Sequence, residues 1–219
     1  MTARRSLGSS VSGAAESVER EGPRPDRGLV IAFEGLDQSG KQTQAEHLRG
    51  RLEARGLSTR LLSFPDYATP IGTEIGRALK GERDYSPEVM QLLYIANRYE
   101  WKSAIEAERG RGGVVICDRY VASSVAYGDA QGLDASWLRE AQRYLPVPDI
   151  TVLLDIAPEV SARRKTTDRD RYERDLALLA RVRESYLRQA SEGWLRLDAD
   201  QDRVVLSETI YQAVAPLLA

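Results

Sequence analysis

The chain has 219 residues, which suits one large domain, and its 31 basic and 33 acidic residues leave a formal net charge of −2, so no basic surface for coating nucleic acid is expected. One cysteine (Cys117) and one histidine (His47) exclude an intrachain disulfide, a thiolate-rich zinc site and a paired-histidine metal site. No apolar run approaches the ~18 residues of a membrane-spanning helix.

Residues 1–28 are rich in Ser, Gly, Pro and charge and almost empty of large apolar side chains. Such a stretch cannot bury enough surface to offset its ordering entropy, so it reads as a disordered tail preceding a single domain over 29–219. It lacks the apolar stretch of a secretory signal. Its opening mixes Arg and Ser without acids, as organellar transit peptides do, but Glu16, Glu19, Glu21 and Asp26 run against that. The cytoplasm is the expected location, with organellar targeting the minor alternative. Leu29 to Phe33 (LVIAF) has the texture of a strand buried on both faces. A glycine-bearing turn leads to a helical pattern over 41–55, closed by Gly56. Thr59 to Phe64 reads as a second strand, stopped by Pro65, and helices are expected over 71–80 and 87–109. Val114 to Cys117 and Ile150 to Leu154 are further buried strands, followed by helical patterns over 158–164 and 174–190. A short strand, Trp194 to Leu197, precedes a last helix over 203–218. Strands alternating with helices predict an α/β fold: a parallel sheet of about five strands flanked by helices and joined by right-handed crossovers.

The turn after the first strand, Gly35-Leu36-Asp37-Gln38-Ser39-Gly40-Lys41, fits G-x-x-x-x-G-K directly before a helix. Glycines let the backbone fold around a phosphate, successive N–H groups point inward, and the helix N-terminus adds favourable potential. Lysine is scarce here, with four against a large excess of arginine, so its placement at this position is informative. Lys41 would reach the β- and γ-phosphates, and residues 35–43 (Gly35, Leu36, Asp37, Gln38, Ser39, Gly40, Lys41, Gln42, Thr43) would line the ATP phosphates. The bland alternative is a glycine-rich turn with no ligand. Gln42 stands where a Ser or Thr hydroxyl normally meets Mg²⁺, so the metal would be held through carboxylates or water. There is no Asn-Lys-x-Asp guanine motif, which counts against a GTPase.

Four further segments carry chemistry. Phe64-Pro65-Asp66-Tyr67 follows the second strand. Leu92-Leu93-Tyr94-Ile95-Ala96-Asn97-Arg98 places Tyr94 and Arg98 on one helix face, an aromatic plane and a guanidinium suited to one flat, hydrogen-bonding base. Core packing is the competing reading for Tyr94, since Met90, Leu93 and Trp101 share its helical spacing. Asp118-Arg119-Tyr120-Val121-Ala122-Ser123-Ser124-Val125-Ala126-Tyr127 starts at the carboxyl end of a buried strand, where ligands of such sheets sit. Arg163-Arg164-Lys165-Thr166-Thr167-Asp168-Arg169-Asp170-Arg171-Tyr172-Glu173 is a charge run whose alternative is a solvated face.

Together with FEGLDQSGKQTQ, these segments resemble the thymidylate kinase family, P-loop nucleoside-monophosphate kinases that move the γ-phosphate of ATP to dTMP. The resemblance covers most of the chain from Leu29 onward. It implies that Asp37, Lys41, Arg119, Arg163 and Arg169 carry catalysis, with residues 163–173 forming a mobile lid; Arg164 is a further candidate for the lid cation. It implies a dTMP site made of Asp37, Phe64, Pro65, Tyr94, Arg98, Arg119, Ser123, Ser124, Tyr127 and Tyr172, in which Tyr94 stacks on thymine, Arg98 reaches the base edge, Arg119 grips the acceptor phosphate and Tyr127 disfavours a 2′-hydroxyl. Asp37, Asp118 and Glu173 are the expected Mg²⁺ shell, partly through water. The implied partners are ATP, dTMP and a second copy of the chain, with neither nucleic acid nor membrane. The acceptor phosphate has a second pKa of about 6, so it is already nucleophilic at neutral pH and needs no general base. Two other readings stay open: a P-loop kinase for another acceptor, and a nucleotide-binding protein without catalysis, motivated by Gln42.

Overall fold

The computed structural model describes residues 27–164, 175–190 and 193–218. The elements run β1 (Val30–Glu34), α1 (Lys41–Glu53), β2 (Thr59–Ser63), α2 (Pro70–Leu79), α3 (Pro87–Glu100), α4 (Lys102–Gly110), β3 (Val114–Asp118), α5 (Val121–Ala130), α6 (Ala135–Glu140), β4 (Ile150–Asp155), α7 (Pro158–Arg164), α8 (Leu176–Gln189), β5 (Trp194–Asp198) and α9 (Arg203–Val214). The five strands pair in parallel in the order β2-β3-β1-β4-β5. Among the described residues no helix is long and apolar enough to cross a membrane.

The apolar strand runs follow from helices covering both faces of the sheet. Ile31 and Phe33 point to the side where Leu48 and Leu52 of α1, Val182 of α8 and Ile210 of α9 pack. Val30 and Ala32 point to the other, with Val115, Cys117 and Ile105 of α4. Each large aliphatic or aromatic side chain among these contributes about 1.5–3 kcal/mol on full burial. From β1 the chain crosses to β2 and returns to β3, then passes to β4 on the other side of β1. That reversal opens a crevice at the carboxyl ends of β1 and its neighbours.

Three differences from the sequence pattern have physical causes. The helix expected over 87–109 is two helices meeting at Trp101, whose N–H bonds back to the carbonyl of Arg98 at 3.1 Å, a tightened turn. Helices α5 and α6 carry no amphipathic signal: α5 is small, Ser-rich and buried on most sides, and a Cβ on its Gly128 would lie 2.4 Å from Leu138 of α6. The last helix ends at Val214 and continues as a 3₁₀ turn over Ala215–Leu218, where Pro216 has no N–H to continue an α-helix.

Candidate active site

The phosphate loop has the backbone its glycines predict. Gly35 adopts φ 136° and a Cβ there would stand 2.4 Å from the carbonyl oxygen of Leu154; Gly40 adopts φ 94°. Gln38 sits at φ 60°, a left-handed conformation unusual for a residue with a side chain. Lys41 opens α1 with only 6% of its surface exposed, and its Nζ donates to the Leu36 carbonyl at 2.8 Å. Burial, reinforced by the nearby Arg119 guanidinium, pushes the Lys41 ammonium down to about 8. The Ser39 hydroxyl is buried in the loop without a partner among the described residues. Gln42 is exposed and donates to Glu46 at 3.0 Å, and His47 is exposed on α1.

Arg119 stands at the centre of the crevice. Its Nη2 donates to Asp37 Oδ1 at 2.7 Å, and its Nη1 reaches the Gly35 carbonyl at 3.1 Å, joining β3's end to the phosphate loop. The Tyr127 hydroxyl donates to the other Asp37 oxygen at 3.0 Å, and the Arg119 guanidinium lies 5.5 Å from the Tyr127 ring centroid. Burial alone would raise the Asp37 carboxyl, but the Arg119 and Lys41 charges outweigh it and hold it well below the usual carboxylate range. Ser161 of α7 fixes the Asp37 carbonyl at 2.7 Å.

Arg119 has φ 65°, a strained value for an arginine that persists only where its surroundings over-determine it. Two residues the motif reading passed over supply that constraint. Glu34, fully buried at the end of β1, accepts the backbone N–H of Tyr120 at 2.9 Å and of Ser123 at 3.3 Å, so a strand carboxylate caps the otherwise uncapped N-terminus of α5. Its second oxygen accepts the Ser123 hydroxyl at 2.6 Å and the Tyr186 hydroxyl at 3.1 Å. Those two hydroxyls also contact each other at 2.8 Å and receive Arg119 Nη1 at 3.3 and 3.4 Å. Burial and the Glu34 charge push the Tyr186 phenol up, so it stays protonated and donates. Glu34 immediately precedes Gly35, a signal available in the sequence; Tyr186 reads there as an ordinary core position of its helix.

Beside this centre lies a cavity partly open to solvent. It is lined by Asp37, Phe64, Pro65, Tyr94, Arg98, Arg119, Ser123, Ser124 and Tyr127, every described member of the acceptor set expected from sequence, and by Tyr67, Leu79 and Gln91, which were not expected. The Phe64–Pro65 peptide is cis. Arg98 is 3% exposed; its Nη1 donates to Ser124 at 2.7 Å and to the Tyr94 carbonyl at 3.2 Å, and its guanidinium lies 5.9 Å from the Phe64 ring centroid. The Ser123 hydroxyl, which also lines the cavity, bonds to Glu34 and Tyr186. Tyr172, Arg169 and Glu173 lie outside the described residues. Of the two described lid arginines Arg163 is exposed, while Arg164 donates to the Gln38 carbonyl at 3.2 Å and to Asp200 at 2.9 Å. Among the described residues no group of three or more His, Cys, Asp or Glu side chains forms a metal site. Among the described residues Asp118 keeps one buried carboxylate oxygen without a partner, and it raises the Lys41 ammonium electrostatically. One free carboxylate oxygen fits Mg²⁺ that retains much of its water and borrows substrate phosphates, the usual habit of that ion.

Fold and site together define a P-loop kinase: a phosphate loop whose Asp37 also lines the adjoining cavity. The thymidylate kinase family model matches residues 33–212. A thymidylate kinase of Arabidopsis thaliana is 34% identical over 93% of this chain and 77% of its own length. One of Schizosaccharomyces pombe is 37% identical over 69% of this chain and 72% of its own. The solved thymidylate kinase of Candida albicans superposes with a TM-score of 0.75 at 29% identity, covering 87% of this chain and 92% of that one. The chain belongs to the thymidylate kinase family, the ATP-dependent nucleoside-monophosphate kinases whose acceptor is dTMP.

Proposed function

We propose that the crevice transfers the γ-phosphate of ATP to dTMP with the donor polyphosphate over Gly35–Lys41 and the acceptor in the adjoining cavity. The observation that carries this division is the double membership of Asp37, which belongs to the phosphate loop and lines the cavity while pairing with Arg119 at 2.7 Å. The two sites therefore meet at a carboxylate–guanidinium pair, where transferring and accepting phosphates must approach in line.

Lys41 neutralises the β- and γ-phosphate oxygens, and an arriving polyphosphate keeps its ammonium charged. Arg119 offers its guanidinium to the acceptor phosphate, for which bidentate contact suits it. Asp37 stays ionised beside it, holding Arg119 and Tyr127 in place for the acceptor sugar. No proton has to be removed from the acceptor, because a phosphate monoester with a second pKa of about 6 is already a nucleophile. Asp118, with Asp37 and Glu173 as the further carboxylates, would hold Mg²⁺, which would supply neutralisation of the phosphate charge. A lid arginine completes the positive shell; Arg164, already against Gln38, is the described residue best placed for it, and such an arginine is worth roughly 10³–10⁵ in rate. Tyr94 and Arg98 address the base, one by its face and the other by its donors. Homodimer formation is supported by family membership and by exposed Val89 and Leu92 on α3, apolar residues that a second copy would cover.

The test is ADP release with ATP and Mg²⁺ across dTMP, dUMP, CMP, AMP and thymidine. Preferential turnover of dTMP supports the assignment. Preference for another acceptor replaces the substrate, and tight ATP binding with no transfer to any acceptor makes the protein a nucleotide-binding module.

A further inference from the structure

Gln91 is the one cavity-lining residue with an amide that no other described residue uses. It lies on α3 one turn before Tyr94 and two before Arg98, on the same helix face. It is 1% exposed, and among the described residues neither its Nε2 nor its Oε1 has a hydrogen-bond partner. Beside it α5 passes so closely that a Cβ on Gly128 would sit 3.4 Å from Gln91 Cγ and 2.4 Å from Leu138 Cδ1. Leucine or methionine would fill such a place without leaving a buried donor and acceptor unpaired, which costs about 1–3 kcal/mol per group. An amide kept there, bordering an acceptor cavity, is a group awaiting a ligand.

Its neighbour decides which ligand atom it meets. Arg98 has only donors, and its Nε is buried without a partner among the described residues, so it can address only an acceptor atom such as a ring keto oxygen. A carboxamide offers one acceptor beside its donors. Once Arg98 has fixed the keto oxygen, the carbonyl of Gln91 faces the adjacent ring N–H. We propose, resting on the reading of the cavity as a thymidylate site, that Gln91 is a specificity-determining residue that accepts the N3–H of the acceptor base. A 4-aminopyrimidine presents an amino donor to Arg98, which has no acceptor to offer it.

The experiment compares the wild-type enzyme with Gln91→Leu and Gln91→Glu, using dTMP and N3-methyl-dTMP as acceptors. Gln91→Leu should raise the KM for dTMP about tenfold, equivalent to ~1.4 kcal/mol. It should leave the KM for ATP unchanged, and should reduce the preference for dTMP over N3-methyl-dTMP by a similar factor. Its melting temperature should not fall, since no bond within the protein is lost, whereas a merely structural glutamine would melt lower on substitution. Gln91→Glu keeps the acceptor oxygen and should retain more of the preference for dTMP than Gln91→Leu does. An unchanged KM for dTMP in Gln91→Leu, or equal rises for dTMP and ATP, would overturn the assignment. Should Gln91→Leu not fold, wild-type turnover decides: equal use of dTMP and N3-methyl-dTMP overturns it and strong rejection of the methylated base supports it. A wild-type enzyme that ignores dTMP altogether would instead defeat the functional reading beneath it.

Discussion

Glu34→Gln tests whether the strained arginine at the centre of the site is held from behind. The substitution keeps the size of the side chain and one carbonyl oxygen, which can still accept Tyr120 N–H and Ser123 N–H, now at 2.9 and 3.3 Å. The other oxygen becomes an NH₂ facing the hydroxyls of Ser123 and Tyr186, which now donate at 2.6 and 3.1 Å and would have to turn round. Two charge-assisted bonds of roughly 1.5–3 kcal/mol each are lost, partly offset by neutralising a buried carboxylate, so a net loss of about 2–4 kcal/mol is expected. A domain with ~5–15 kcal/mol in hand survives that, melting roughly 5–15 °C lower. The same two hydroxyls steady Arg119 Nη1, so relaxation of its φ of 65° should displace the guanidinium. Displacement on the order of an ångström costs up to ~100-fold, so kcat should fall about 10–100-fold with the KM for ATP little changed. Tyr186→Phe, which removes one hydroxyl and no charge, should fall between wild type and Glu34→Gln. Steady-state kinetics beside a thermal melt reads both quantities. A Glu34→Gln enzyme with wild-type kcat would refute the claim that this carboxylate positions Arg119.

Lys41→Ala should lower turnover by orders of magnitude with the fold intact, as a melt and a single-turnover assay would show. Because burial lowers the Lys41 ammonium from 10.5 to about 8, kcat/KM for ATP should decline above about pH 8 as the free enzyme loses that charge. The stability effect has the opposite sign: burying the charged lysine is penalised in full below about pH 8, and between there and 10.5 the unfolded chain binds more protons, so this contribution to stability rises with pH. Arg98→Ala should raise the KM for dTMP far more than that for ATP; equal effects on both would remove Arg98 from the base. Arg164→Ala should reduce kcat with little change in either KM, and a larger loss than Arg163→Ala would mark it as the lid cation.

Much of the fold was legible because its signals are local. Three apolar runs and two mixed ones, bounded by turn residues, correspond to the five strands, and the positive φ values of Gly35 and Gly40 are what a loop wrapping a phosphate demands of its glycines. Helix α5 was not legible, because burial on most sides removes the amphipathic period on which such readings rest. The site was legible where a motif holds its residues together, as in 35–43 and 118–127. Glu34, Tyr186 and Gln91 escaped for a different reason. A glutamate ending an apolar strand looks like the point where the chain meets solvent, and only the arrival of α5 some ninety residues later buries it. Tyr186 sits at an ordinary core position of α8 until Glu34 and Ser123 are brought against its hydroxyl. Gln91 shares a helix face with Tyr94 and Arg98 at spacings of three and seven, a clue present in the sequence whose weight depends on knowing that no other described residue meets its amide.

The most direct measurement is a crystal structure with dTMP and a non-hydrolysable ATP analogue bound together. The account predicts the polyphosphate across Gly35–Lys41, the dTMP phosphate on Arg119, and thymine against Tyr94 with its polar edge toward Arg98. Nucleotides bound elsewhere, with this crevice vacant, would contradict it.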